Sequence, residues 1–293
     1  MKQKFREIHL SKKNKIRLET INSIIEEYQA QGYRLTLRQL YYQLVSRDII
    51  PNQQKEYSKL SILLKEGRMA GIVDWDAIED RLRVPSSPSS FDGPEAILDA
   101  CISQYMLPRM KDQAVYVEVW VEKDALSGVL KRVTEKYHIP ILVNRGYSSA
   151  SAMYDAYERF TEASENGQSI RILYLGDYDP SGIDMIRDIK TRTLEFIGAD
   201  DVDFDIIPIA LTKKQIQQYN PPPNPAKMSD PRAGDYVKEN GKTSWEVDAL
   251  KPEILNAVLT RNIEALIDTD LYEDIVSQEA EGTAKLRSLK QYL

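Results

Sequence analysis

The 293 residues are 42% hydrophobic and 29% charged with a net charge of −6, an ordinary globular balance that excludes collagenous and low-complexity chains. A single cysteine, Cys101, and two distant histidines, His9 and His138, exclude a disulfide framework and a cysteine-cluster zinc site and argue against histidine-ligated metal or serine–histidine chemistry. No apolar run approaches the ~18 residues of a membrane span, and residues 1–15 lack a signal peptide's apolar stretch, so the expected setting is a reducing cytoplasm without membrane contact.

Residues 1–20 hold seven Lys/Arg against two acids, a basic arm on an acidic body. Such an arm reads as a polyanion contact or as a solvated helix start. Leu18, Ile21, Ile25 and Tyr28 recur at helical spacing and predict a helix over about 14–31, ended by Gly32. Thr36 and Gln39 form a capping box that opens a second helix, with Leu37, Leu40, Tyr41 and Leu44 on one apolar face. Pro51 and Asn52 make a turn, and Tyr57, Leu60, Leu63 and Leu64 mark a third helix closing near Gly67. Three short helices in tandem suit a helix-turn-helix or winged-helix module, and a plain helical bundle fits the same pattern. Lys55, Lys59, Lys65 and Arg68 on the third helix are candidate DNA contacts, together with the arm.

The second helix carries adjacent tyrosines. Tyr41 shares the apolar face and is expected in the core, whereas Tyr42 is rotated about 100° off it. Arg38 lies four residues before Tyr42 and is its neighbour on the helix surface. A partly exposed phenol beside a guanidinium suits phosphoryl chemistry: the arginine holds phosphate and favours the phenolate. The plain alternative is an exposed tyrosine packed on a neighbour, in a chain that has 17 tyrosines.

Val84 to Ser90 reads as a linker, and a helix bearing Ile97, Ala100 and Cys101 follows. The pattern then alternates. Strand-like runs at Val115–Val121, Ile139–Val143, Ile170–Leu175 and Phe204–Leu211 are separated by helical stretches at about 125–137, 149–163 and 182–197. This β-α-β-α-β-α-β order predicts a parallel sheet with crossover helices. Asn220 to Pro225 is a proline-rich, extended insertion, and Trp245 onward is mostly helical. Gly241, Lys242 and Thr243 look like the end of a P-loop, but position 236, where its first glycine belongs, is Tyr236.

Ligands of parallel α/β sheets bind at the carboxyl ends of strands. Two such ends are acidic: Glu122 and Asp124 after the first strand, and Asp177 and Asp179 after the third, in a turn held tight by Gly176, Pro180 and Gly182. Glu122, Asp177 and Asp179 are therefore candidate ligands for one Mg²⁺, with Mn²⁺ as a substitute. The alternative is that Asp177 and Asp179 only cap the next helix. Glu118 lies mid-strand on the same face as Glu122 and reads as structural.

Leu37 to Tyr42, Val121 to Asp124 and Gly176 to Gly182, in that order, resemble the A subunit of type IIB topoisomerase (topoisomerase VI) and the meiotic double-strand-break transesterase. The resemblance spans about residues 14 to 270 and implies a winged-helix (CAP-like) domain bearing a nucleophilic tyrosine, followed by a Toprim domain. In that family the nucleophile is the second of the tyrosine pair, here Tyr42. The acids match Glu122, Asp177 and Asp179. Asn144 to Ser148 and Glu246 to Leu250 look like further family segments. The chain is shorter than a full A subunit, and its proline-rich insertion and Trp245 are not family features, so it looks like a compact bacterial or phage-borne relative. The implied boundaries are 1–84 for the winged helix, 85–108 for a connector and 109–293 for the Toprim domain with a helical extension.

The resemblance implies an α/β protein that cleaves double-stranded DNA in a Mg²⁺-dependent, nucleoid-associated reaction, Tyr42 attacking a backbone phosphate to give a 5′-phosphotyrosyl link. It also implies a homodimer, in which one subunit's tyrosine meets the other's metal, and a separate ATPase subunit for strand passage. Two alternatives stand beside it. One is a Toprim nuclease that activates water. The other is a non-catalytic DNA-binding subunit of a larger complex.

Overall fold

A computed structural model describes residues 1–78, 90–198 and 202–289. Apart from Ser90, the expected linker Val84–Ser90 lies outside the described residues. The first three helices are α1 (Lys12–Ala30), α2 (Leu37–Ser46) and α3 (Gln54–Met69). The capping box opens α2 as expected: the Gln39 N–H donates to Thr36 Oγ1, and the Gln39 side chain reaches back to the Thr36 N–H at 2.8 Å. Gly67 does not stop α3 but lies buried within it. A Cβ there would come within 2.7 Å of Leu18 and 2.9 Å of Val73, so glycine lets α1 and the segment after α3 approach closely. Among the described residues no β-hairpin wing accompanies these helices.

The second part is mixed α/β. After α4 (Pro94–Gln104) come β1 (Val115–Val121), α5 (Asp124–Tyr137), β2 (Ile141–Val143), α6 (Ala150–Glu165), β3 (Ser169–Leu175), α7 (Pro180–Ile197) and β4 (Phe204–Ala210). The four strands form one parallel sheet in the order β2-β1-β3-β4. There follow α8 (Lys213–Tyr219), β5 (Asn224–Pro225), α9 (Ala233–Asn240), β6 (Thr243–Ser244), a 3-10 turn (Val247–Ala249), α10 (Pro252–Glu264) and α11 (Thr269–Leu289). The proline-rich insertion is pinned where β5 pairs antiparallel with β6.

Strand alternation sorts side chains to two faces. Val115, Val117, Val119 and Val121 pack under α5 and α10, and Trp120, Ile170, Ile172 and Tyr174 pack under α6 and α7. Both faces of the sheet are thus covered by helices, as a parallel sheet requires. A separate core joins α1, α2 and α3, and Ala249 of the 3-10 turn belongs to it. The carboxyl ends of β1 and β3 therefore lie directly beside α2. No helix among the described residues is long and apolar enough to cross a membrane.

Glu118 stays inside the second sheet face, 1% exposed, and takes no part in the strand-end crevice. It accepts from Tyr116 Oη (2.7 Å), Trp120 Nε1 (2.8 Å) and Arg159 Nε (2.6 Å). Removing the carboxylate strands three donors, so Glu118→Ala should destabilise the fold by about 3 kcal/mol. Urea unfolding measures this, and a change below about 1 kcal/mol would contradict the structural role.

Candidate functional site

The site grows from three turns that meet at the strand ends. The first follows β1 and carries Glu122 and Lys123. The second lies between β3 and α7 and carries Asp177 and Asp179. The third precedes α10 and carries Glu246 and Asp248. Tyr178 and Trp245 join the last two through reciprocal backbone hydrogen bonds of 2.8 and 3.0 Å. Gly182 permits the tight turn after β3, because a Cβ there would lie 2.2 Å from the Asp177 carbonyl oxygen.

Three carboxylates converge: oxygens of Asp177, Glu246 and Asp248 lie within 4.8 Å of one another. The ammonium of Lys123 sits among them, 2.8 Å from Asp177 Oδ1, 2.6 Å from Glu246 Oε2 and 3.0 Å from Asp248 Oδ1. Arg38 reaches in from α2 and donates to Asp248 Oδ2 at 3.0 Å and to Glu246 Oε2. An all-oxygen donor set that already draws in a cation can hold a hard metal ion.

Glu122 and Asp179 stand around this cluster rather than inside it. Glu122 Oε2 accepts from the Asp177 N–H at 2.8 Å. Asp179 Oδ1 accepts from the Gly182 N–H at 2.6 Å and from Ser181 Oγ at 3.0 Å, the N-cap of α7. Of the three acids expected from the sequence, Asp177 alone enters the convergent group. Asp179 takes the capping role, because its side chain faces the open N–H groups of the first helical turn. Both Glu122 and Asp179 still line the cleft.

The electrostatics follow from crowding. Three carboxylates, Asp177, Glu246 and Asp248, share the two cations Lys123 and Arg38, and Glu122 and Asp179 stand close by, an excess of negative charge that a divalent ion would offset. Burial, then the neighbouring carboxylates Glu122 and Asp248, push the Asp177 carboxyl up to about 8 against the pull of Lys123. Burial likewise raises Glu122. Burial would also raise Glu246, but Lys123 and then Arg38 outweigh it and hold that carboxyl down to about 2. Lys123 keeps its proton because Asp248, Asp177 and Glu246 outweigh its burial.

These shifts set a pH dependence. Asp177 is raised in the fold, so its contribution is full below the ordinary carboxylate range and is lost as pH rises through about 8. Glu246 has the opposite sign, and its contribution is lost only as pH falls toward about 2. Without divalent ions, stability should therefore decline between pH 5 and 8. Urea midpoints across that range test this, and a flat or rising profile would contradict it.

Tyr42 is buried at 5% exposure, contrary to the partly exposed position that its helical phase predicts. Every residue of α2 from Gln39 to Val45 is buried, because the Glu246–Ala249 segment covers the side of the helix that α1 and α3 leave free. The Tyr42 hydroxyl lies beside the Glu246 carboxylate, and the Arg38 guanidinium lies 5.8 Å from its ring centre. Burial and then Glu246 raise the phenol above its ordinary value, while Arg38 lowers it only weakly. Arg38 does favour the phenolate, as expected, but burial and Glu246 outweigh it, and its guanidinium is not free for phosphate in this state because two carboxylates occupy it. Tyr41 is core, as expected, with its hydroxyl donating to Asn52 Oδ1 at 3.0 Å.

Tyr42, Arg38, Glu122, Asp177, Asp179 and Glu246 line one cleft of about 850 Å³, which also takes in Asn224 and Trp245, while Asp248 is fully buried. No family model and no curated protein matches the chain.

The expected DNA contacts lie elsewhere. Lys55, Lys59 and Lys65 are exposed on α3, outside the cleft, and Lys59 pairs with Glu56. Arg68 is committed internally: it donates to the Trp75 carbonyl at 2.5 Å and stacks on the Trp75 ring at 4.5 Å. The basic arm is docked rather than free. Phe5 and Arg6 N–H groups donate to the Met69 carbonyl, and the terminal ammonium pairs with Asp74 and Asp76.

Sequence reasoning missed Glu246, Asp248 and Lys123 as site residues. Glu246 and Asp248 repeat the two-residue spacing of Asp177 and Asp179, and that spacing was the available signal.

Proposed function

We propose that the protein is a Mg²⁺-dependent DNA-cleaving transesterase, a compact relative of the type IIB topoisomerase A subunit with a Toprim-like sheet. The observation that carries this reading is one cleft, at the carboxyl ends of a parallel sheet, lined by a tyrosine–arginine pair and by Asp177 and Glu246, with the fully buried Asp248 completing the carboxylate cluster. Asp177, Glu246 and Asp248 would hold the ion, with Glu122 and Asp179 beside them. A bound Mg²⁺ supplies Lewis-acid stabilisation of the charge that builds on the phosphate oxygens.

The chain's own residues do the rest. Glu246, whose carboxylate lies beside the Tyr42 hydroxyl, would accept its hydrogen bond and orient the oxygen. Arg38, which pairs with Glu246 and Asp248 in this state, would turn to the phosphate of a bound substrate. The Tyr42 oxygen then forms a bond to phosphorus, and the bond from phosphorus to the 3′-oxygen breaks. The phenolic proton leaves to solvent or a carboxylate, and the departing 3′-oxygen takes up a proton. The product is a 5′-phosphotyrosyl link and a free 3′-hydroxyl.

The burial of Tyr42 favours a second reading, in which the tyrosine is structural and the acid cluster activates water in a nuclease. Supercoiled plasmid incubated with Mg²⁺ or Mn²⁺, with and without protease before electrophoresis, separates the two. A transesterase gives cut DNA that enters the gel only after proteolysis. Cut DNA that needs no proteolysis supports the nuclease, and uncut DNA with either metal rejects both.

A further inference from the structure

We infer that Tyr236 is a positioning residue for the metal, holding the Asp177–Asp179 turn and the Glu246–Asp248 turn at the separation that one small cation needs. The inference rests on the reading of the acid cluster as a Mg²⁺ site, and it is the same whether tyrosine or water attacks DNA.

The two acid pairs are brought together from distant turns, and their like charges drive them apart. The direct links between the turns are few. The Val247 N–H donates to Asp177 Oδ1 at 2.9 Å, across 70 positions of sequence. Tyr178 pairs with Trp245 as an isolated antiparallel bridge, and so short a pairing is marginal by itself. Tyr236 braces it. The residue is buried in α9, 6% exposed, and lies outside the lining of the cleft. Its hydroxyl reaches the Tyr178 carbonyl at 3.0 Å and the Thr243 carbonyl at 2.7 Å. The first carbonyl lies between Asp177 and Asp179 in the chain, and the second lies on β6, just before Trp245 and Glu246.

The rest of α9 supports the same contact. The Tyr236 ring lies 6.1 Å from that of Tyr178, which lies 6.2 Å from Trp245. Tyr178 Oη donates to Asn240 Oδ1 at 2.9 Å, so α9 holds both the side chain and the backbone of the residue between the acids. The helix is itself fixed to α7: at its N-cap, Arg232 pairs with Asp184 at 2.8 Å and lies over the Tyr147 ring at 4.9 Å.

Ion size tests the inference. Mg²⁺ demands near-ideal octahedral geometry at about 2.0–2.1 Å, whereas Ca²⁺ accepts irregular oxygen sets at about 2.3–2.6 Å, so a loosened cluster loses Mg²⁺ first. Tyr236→Phe keeps the ring and deletes only the hydroxyl. Calorimetric titration should show Mg²⁺ affinity about tenfold weaker and Ca²⁺ affinity changed by less than about threefold. Tyr272→Phe, which deletes a 3.0 Å hydroxyl–carbonyl bond to Lys136 away from the cleft, should move neither. A second readout needs no ion: amide hydrogen exchange at Tyr178 and Val247 should quicken about fivefold or more in Tyr236→Phe, with Ile172 and Leu173 of β3 unchanged. An unchanged ratio of Mg²⁺ to Ca²⁺ affinity, unchanged exchange at Val247, or equal quickening in β3 overturns the inference and leaves the metal reading in place. A wild-type protein that binds neither ion overturns both.

Discussion

Tyr42→Phe should leave the protein folded and remove every covalent protein–DNA adduct. The ring stays in its buried place beside Arg38, so packing is retained; the loss is one hydroxyl beside the Glu246 carboxylate. Losing one polar contact of that kind costs about 1 kcal/mol, within the stability of an ordinary domain. In the proposed reaction the phenol oxygen is the attacking atom. The hydroxyl of the adjacent Tyr41 is engaged by Asn52 and the Gln53 carbonyl. The measurement is the yield of DNA retained with protein after denaturation. An adduct yield within a factor of two of wild type would remove Tyr42 from the reaction, while loss of adducts with cleavage intact would favour the water-activating nuclease.

On the proposed reading, Asp177→Asn should weaken divalent-ion binding more than ~100-fold and abolish cleavage by either route, because it removes one of the three carboxylates that would hold the ion. The same change should leave the fold intact at pH 8, since Asn retains an oxygen to accept from the Val247 N–H, a 2.9 Å bond in the wild type. It also removes a carboxyl whose ionisation the site resists, so stability at that pH should be equal or higher. Loss of metal binding with retained stability is a signature that general misfolding cannot produce. Calorimetric titration with Mg²⁺ and Mn²⁺, set beside a urea melt, reads both. Unchanged affinity would mean that the cluster of Asp177, Glu246 and Asp248 holds Lys123 and nothing else.

The parts of the fold read correctly from sequence are those fixed by local chemistry. Thr36 and Gln39 announce the start of α2 because their side chains satisfy its first N–H groups. The valines of β1 and the run Ile170 to Leu175 announce buried strands, and their parallel pairing follows from the helices between them. Asp177 was legible for the same reason, as an acid at the end of such a strand.

What the sequence concealed depends on contacts between distant segments. The helical phase of α2 separates one apolar face from the rest, and it takes no account of a second partner. Glu246 to Ala249, some 200 residues later, covers that other side, so Tyr42 is as buried as Tyr41. Asp248 lies next to Val247 and Ala249 in a short apolar turn, and only the fold carries it to Asp177. Asp179 shows the reverse: its spacing suited a shared cation, but the nearest open partners were the N–H groups of α7. Arg68 looks like a polyanion contact in a list of charges, yet its partners are the Trp75 carbonyl and ring, and the arm is anchored through its backbone to the Met69 carbonyl while Lys2, Lys4, Lys12, Lys13 and Lys15 stay exposed.

The most direct measurement is the site of covalent attachment. Cleaved DNA is trapped by denaturation in Mg²⁺ or Mn²⁺, the nucleic acid is trimmed by nuclease, and trypsin releases the peptide Gln39 to Arg47, which fragmentation in a mass spectrometer then reads residue by residue. The account predicts a nucleotide linked through its 5′-phosphate to Tyr42, absent from Asp177→Asn. Attachment to Tyr41 or to any other residue, or cut DNA with no attached peptide, would contradict it.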